Sequence, residues 1–66
     1  MFTKYDIGQE IEKLDTKILD IRLFIHMDNP GFKLLNSKNQ NLLIDQYNSM
    51  IEYKEILEER LDNWRD

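Results

Sequence analysis

Ile7, Ile11, Leu14, Ile18, Ile21 and Ile25 stand 4, 3, 4, 3 and 4 residues apart. That interval lines one stripe of an α-helix and fits no single face of a strand. A second stripe follows in Leu43, Tyr47, Met50, Lys54, Leu57, Leu61 and Trp64, spaced 4, 3, 4, 3, 4 and 3. Sustained heptads of this kind commit the chain to two long helices whose stripes face each other. The spacing predicts a first helix over 4–27 and a second over 38–64. Glu10, Glu12, Lys13, Asp15, Lys17, Asp20 and Arg22 read as the solvated side of the first.

The punctuation agrees with this division. Thr3 is the expected N-cap of the first helix, with Asp6 as its capping partner. Gly8 costs helix stability unless it allows close packing. Asp28-Asn29-Pro30-Gly31 must interrupt the helix, because proline cannot continue its interior. Over 28–36, Asn29 as cap and Pro30 as first residue predict one short turn. Phe32, Leu34 and Leu35 would then plug the connected end of the pair. Ser37 and Gln40 form an S-x-x-Q capping box before the second helix.

The expected fold is therefore all-α, one antiparallel two-helix hairpin over residues 1–66. Heptad geometry opposes residues whose numbers sum to roughly 68, placing Ile18 near Met50, Leu14 near Lys54 and Ile7 near Leu61. Two stripes satisfy each other, but the shoulders are left over. Leu19, Leu23, Leu42, Ile44, Ile51 and Ile56, with Tyr53, are surplus apolar surface, the usual mark of an interface. A domain of this size buries only about 60% of the surface its unfolded chain exposes. With no cysteine for a disulfide, self-association is the expected support. The hairpin is expected to form a helical-bundle homo-oligomer, a four-helix dimer being the simplest closure.

Composition limits the function classes. One histidine and no cysteine exclude a Cys-based zinc site or a multi-histidine site within one chain. No phosphate loop, nucleophile elbow or HExxH motif occurs, so neither enzyme nor cofactor is expected. The net charge of -4 weighs against nucleic acid as a partner, including RNA of the kind some small hairpin dimers bind. No apolar run approaches the ~18 residues of a membrane span. Residues 1–7 carry Asp6 and no apolar core, so no secretory signal is read there and cytoplasmic residence is expected. The chain lacks alanine and valine and has eight isoleucines and six asparagines, a bias that fits an AT-rich genome.

Four side chains of the second helix are the candidate ligand-binding set: Tyr47, Tyr53, Lys54 and Arg60. Aromatic rings stack on bases, and arginine grips phosphate with two parallel hydrogen bonds. Lys54 is at odds with its apolar stripe. Its ammonium either snorkels to a carboxylate such as Asp15 or Glu58, fixes the helix register, or meets an anion between subunits. The tyrosines equally suit a core or an interface. His26 closes the first helix beside Asp28, where a protonated ring would favour the helix C-terminus.

A longer pattern runs through these residues. It comprises Glu12-Lys13-Leu14-Asp15-Thr16-Lys17-Ile18, Phe24-Ile25, Phe32, Leu35, Gln40, Leu42-Leu43, Gln46, Met50, Tyr53, Ile56-Leu57 and Arg60-Leu61. From Tyr5 to Trp64 the chain resembles a family of short helical-hairpin proteins of tailed bacteriophages, crAss-like phages among them. The string Gln46, Met50, Tyr53, Leu57, Arg60 is its least generic part. The resemblance implies a phage accessory protein acting in the cytoplasm of the infected bacterium. In size and architecture alone the chain is also similar to phage sponges that blunt CBASS and Thoeris immunity. Those proteins sequester cyclic nucleotide or cyclic ADP-ribose signals, and the likeness carries no binding residue across. It implies counter-defence by sequestering a nucleotide second messenger. The alternative is a helical module that blocks or scaffolds a host or phage protein.

Overall fold

A computed structural model describes residues 3–26 and 29–64. Thr3 and Asp6 cap the first helix reciprocally. The Asp6 amide donates to Thr3 Oγ1 at 3.1 Å, and the Thr3 amide donates to Asp6 Oδ2 at 3.4 Å. Helix α1 then spans Lys4–His26. Met27 and Asp28, which the sequence assigns to the helix end and the break, lie outside the described residues.

The connection follows its side-chain chemistry. Asn29 is extended, and its Oδ1 accepts from the Gly31 amide at 2.7 Å, starting the single turn of α2, Pro30–Lys33. Phe32 meets Phe24 edge-on, with ring centroids 6.0 Å apart. Gly31 sits beneath the Phe24 ring, where an added Cβ would stand 3.0 Å from both that ring and the side-chain Oδ1 of Asn29. Leu34 does not join the plug: it is 87% exposed. It is the residue that caps the C-terminal side of α2, and it turns outward while Phe32 and Leu35 stay half-buried.

Helix α3 spans Ser37–Asp62, and its cap differs from the expected one. Asn36 holds the position, its Oδ1 accepting from the Asn39 amide at 2.8 Å. Ser37 is already helical. Asparagine is at least as good a cap as serine, so the helix starts one residue earlier. Gln40 is thereby released from the capping box, and its Nε2 donates to the Phe32 carbonyl at 3.0 Å, tying α3 to the connection. Asn36→Ala should cost about 1 kcal/mol in urea unfolding and Ser37→Ala only a few tenths. At the far end, α3 stops at Asp62, and Asn63 Nδ2 donates back to the Glu59 carbonyl at 2.8 Å.

The two long helices pack antiparallel. Lys54 is paired with Asp15, and Arg22 Nε donates to the Tyr47 hydroxyl at 3.0 Å. Both pairs sum to 69, one residue from the register read off the heptads. Ile7, Leu14, Ile18 and Leu57 are buried, with Ile11, Tyr47, Met50, Ile51, Leu61 and Trp64 packed around them. Ile51 is thus already half-buried in its own hairpin rather than surplus. The other five expected interface residues, Leu19, Leu23, Leu42, Ile44 and Ile56, are exposed. No strand occurs among the described residues.

The hairpin measures 48 × 17 × 17 Å and exposes 5284 Å². A folded monomer of 8.1 kDa ordinarily exposes about 4,500 Å². The excess of about 800 Å² is the geometric cost of a core only two helices thick. Gly8 adds to the weakness without recompense, because no atom lies within 4 Å of where its Cβ would be. Gly8→Ala should therefore raise stability by up to about 1 kcal/mol. Gly31→Ala should lower it by forcing Phe24 aside, and thermal melts of the two variants would move in opposite directions.

Candidate functional site

Helical phase divides the surface into two flanks along the α1–α3 seam. On α1, Asp15 and Arg22 lie on one flank of the apolar stripe, and Glu10 and Lys13 lie on the other. The first flank is closed by polar pairing. Lys54 reaches Asp15, whose hydrogen bond holds the ammonium above the usual lysine range; desolvation opposes that shift. Tyr47 is taken by Arg22, and the His26 ring meets it edge-on at 6.3 Å.

The second flank opens into a cleft of about 360 Å³ near the free ends of the long helices. Ile7 and Leu57, both buried, lie beneath it. Asp6, Gln9, Glu10 and Lys13 line it from α1, and Tyr53 and Arg60 from α3. Tyr53 and Arg60 sit seven residues apart, two turns along one face of α3. Tyr53 is 46% exposed.

The lining suits an amphipathic guest, with two cations, Lys13 and Arg60, balanced by two carboxylates, Asp6 and Glu10. Apolar side chains form the floor and one aromatic ring offers a stacking face. Arg60 and Lys13 supply two cations, one a planar fork and one a point charge. Gln9, Glu10 and Asp6 offer acceptors to a donor edge such as an exocyclic amine. Pockets for small ligands commonly start at about 300 Å³ and combine an apolar lining with a few polar groups. Among the described residues, no group of three or more His, Cys, Asp or Glu side chains is arranged to hold a metal.

The structure thus splits the four-residue set read from the sequence. Tyr53 and Arg60 come together in the cleft; Tyr47 and Lys54 lie on the opposite flank, engaged with Arg22 and Asp15. The seam carries Tyr47 and Lys54, whereas Tyr53 is rotated about 100° from its neighbour Lys54. Sequence reading missed the α1 wall: it assigned Glu10 and Lys13 to the solvated side and gave Gln9 no role. The signal was present in part: the observed register, in which opposed numbers sum to 69, brings Glu10 within one residue of Arg60.

No described helix is long and apolar enough to cross a membrane. No curated protein and no solved structure matches the chain. A family model named Sequestin matches residues 7–63, which takes in both stripes except Trp64, the connection and the whole cleft except Asp6. Over that length the chain belongs to the Sequestin family.

Proposed function

We propose that the protein is a phage accessory counter-defence factor that binds and sequesters a nucleotide-derived immune signal without cleaving it. The signal is of the cyclic oligonucleotide or cyclic ADP-ribose type, and the site of action is the cytoplasm of the infected bacterial host. The observation that carries this reading is the cleft lined together by Tyr53, Arg60 and Lys13 over an apolar floor. A nucleotide needs an aromatic face for its base and cations for its phosphate, and these stand within one cavity. The family name, with its sense of sequestration, supports the same direction. The action is stoichiometric: each bound molecule lowers the free signal and no bond breaks. The working form is a homo-oligomer, supported by the excess exposed surface.

Calorimetry against a panel of cyclic dinucleotides, cyclic trinucleotides and cyclic ADP-ribose isomers tests the proposal. Saturable binding with the probe recovered intact is the expected result. No heat with any probe at micromolar protein would sink it.

A second reading is favoured by a different observation. Leu19 and Leu23 stand one turn apart on α1, 49% and 46% exposed. They would serve a module that blocks or scaffolds a host or phage protein. Pull-down from infected lysate would then recover one dominant partner, lost on Leu19→Glu.

A further inference from the structure

The charges of the cleft are ordered along its length. Opposed numbers sum to 69 in this hairpin, so Lys13 stands between the levels of Tyr53 and Arg60. Gln9 and Glu10 stand level with Arg60, and Asp6 lies about 5 Å beyond, nearest the free ends. Tyr53 and Arg60 are about 10 Å apart along α3. From the ring outward the lining therefore runs aromatic, cation, cation beside carboxylate, then carboxylate.

The four charges also differ in depth. Lys13 and Arg60 are exposed at the rim, whereas Glu10 and Asp6 are half-buried. Asp6 is fixed there by the cap of α1, its Oδ2 accepting from the Thr3 amide. A charge partly withdrawn from water is screened less than one at the rim. The cleft thus has one level that welcomes negative charge, between Lys13 and Arg60, and a carboxylate wall beyond it.

A guest whose base stacks on Tyr53 brings its nearest phosphate to the welcoming level. A phosphate continuing outward from there meets Glu10 and Asp6. A terminal phosphate is also the more highly charged kind, at about −1.5 to −2 near pH 7. A second ester removes its second ionisation. We infer that Glu10 and Asp6 make the cleft a charge filter, admitting nucleotides in which no phosphate is terminal and turning away those that end in a free phosphate. The filter rests on the sequestration reading and says which nucleotides that site takes.

An admitted guest uses the same carboxylates differently. A ribose hydroxyl or a base amine donates to Glu10 where a terminal phosphate would be repelled. The six carboxylates of α3 from Asp45 to Asp62 are exposed outside the lining and add repulsion that grows with the charge of the guest. Such selection matters to a stoichiometric binder, because nucleoside triphosphates that filled the cleft would cancel its effect.

Competition calorimetry tests the filter. Each cyclic oligonucleotide is paired with its linear form ending in a 5′-phosphate, each cyclic ADP-ribose isomer is paired with ADP, and ATP and GTP complete the panel. The best cyclic probe should bind the parent protein at least about tenfold more tightly than its partner or either triphosphate. Equal binding would overturn the filter and leave sequestration standing. Glu10→Gln keeps the shape of the side chain and removes its charge. It should narrow the gap by letting the probes with terminal phosphates bind roughly tenfold more tightly. A gap unchanged in Glu10→Gln, and again when Asp6→Asn is added, would also overturn the filter. Should the double variant lose its helical circular dichroism, the parent panel and Glu10→Gln still decide. Binding of no cyclic probe to the parent would instead count against sequestration itself, and the filter would fall with it.

Discussion

Leu57→Ala should lower the thermal midpoint by more than about 10 °C, the largest stability effect expected from a single truncation here. Leu57 is 3% exposed and is the one buried residue that α3 contributes. Ile7, Leu14 and Ile18 of α1 pack in the same cluster. Truncating a buried leucine ordinarily costs about 2–5 kcal/mol, through lost transfer energy and an unfilled cavity. In a domain this small each 1 kcal/mol moves the midpoint by about 4–8 °C. A core two helices thick has no third layer to collapse into the gap. Leu34→Ala provides the contrast. Leu34 is exposed, so its truncation should change stability by no more than about 0.5 kcal/mol. Melting both variants by circular dichroism would check the pair. A midpoint for Leu57→Ala within a few degrees of the parent would mean that the core lies elsewhere.

Tyr53→Ala and Arg60→Ala should each weaken ligand binding, while Lys54→Met and Tyr47→Phe leave it unchanged. Removing a stacking ring costs about 1–3 kcal/mol per base, or roughly 5- to 150-fold in affinity. A hydrogen bond to a charged group is worth about 1.5–3 kcal/mol, so Arg60 should matter as much. Both truncated side chains are exposed, so neither loss should unfold the hairpin. Lys54 and Tyr47 are engaged across the other flank, where a guest in the cleft does not reach them. Titrations with one nucleotide probe across the four variants would test the assignment. The reverse order of effects would move the site to the Lys54 flank.

The heptads made the hairpin legible because the apolar period directly encodes which helix face is covered. Register followed as well, to within one residue, since opposed stripes leave little freedom. Asn29 as the cap before Pro30 was equally readable, because local side-chain chemistry decides it. Asn36 was not, because Asn36 and Ser37 are both good caps and tertiary contact breaks the tie: Gln40 is used on the Phe32 carbonyl. Leu34 was misplaced for a related reason. An apolar residue in a short turn carries no periodic signal, so its direction depends on how α2 is seated. In the candidate site, the α3 half showed itself through the seven-residue interval from Tyr53 to Arg60. The α1 half was hidden because a charged residue at the rim of a cleft looks, in sequence, like one on a solvated face.

The carboxylates that crowd the outer side of α3 bear on how fast such a protein could work. With a net charge of -4, the hairpin repels a polyanion at long range. Encounter with a cyclic nucleotide would therefore speed up as salt is added, opposite to the behaviour of an electrostatically steered binder. Retention, set by contacts inside the cleft, would respond far less. Under the proposed sequestration, affinity would come from long residence rather than rapid capture, and the abundance of the protein would set how soon the signal disappears.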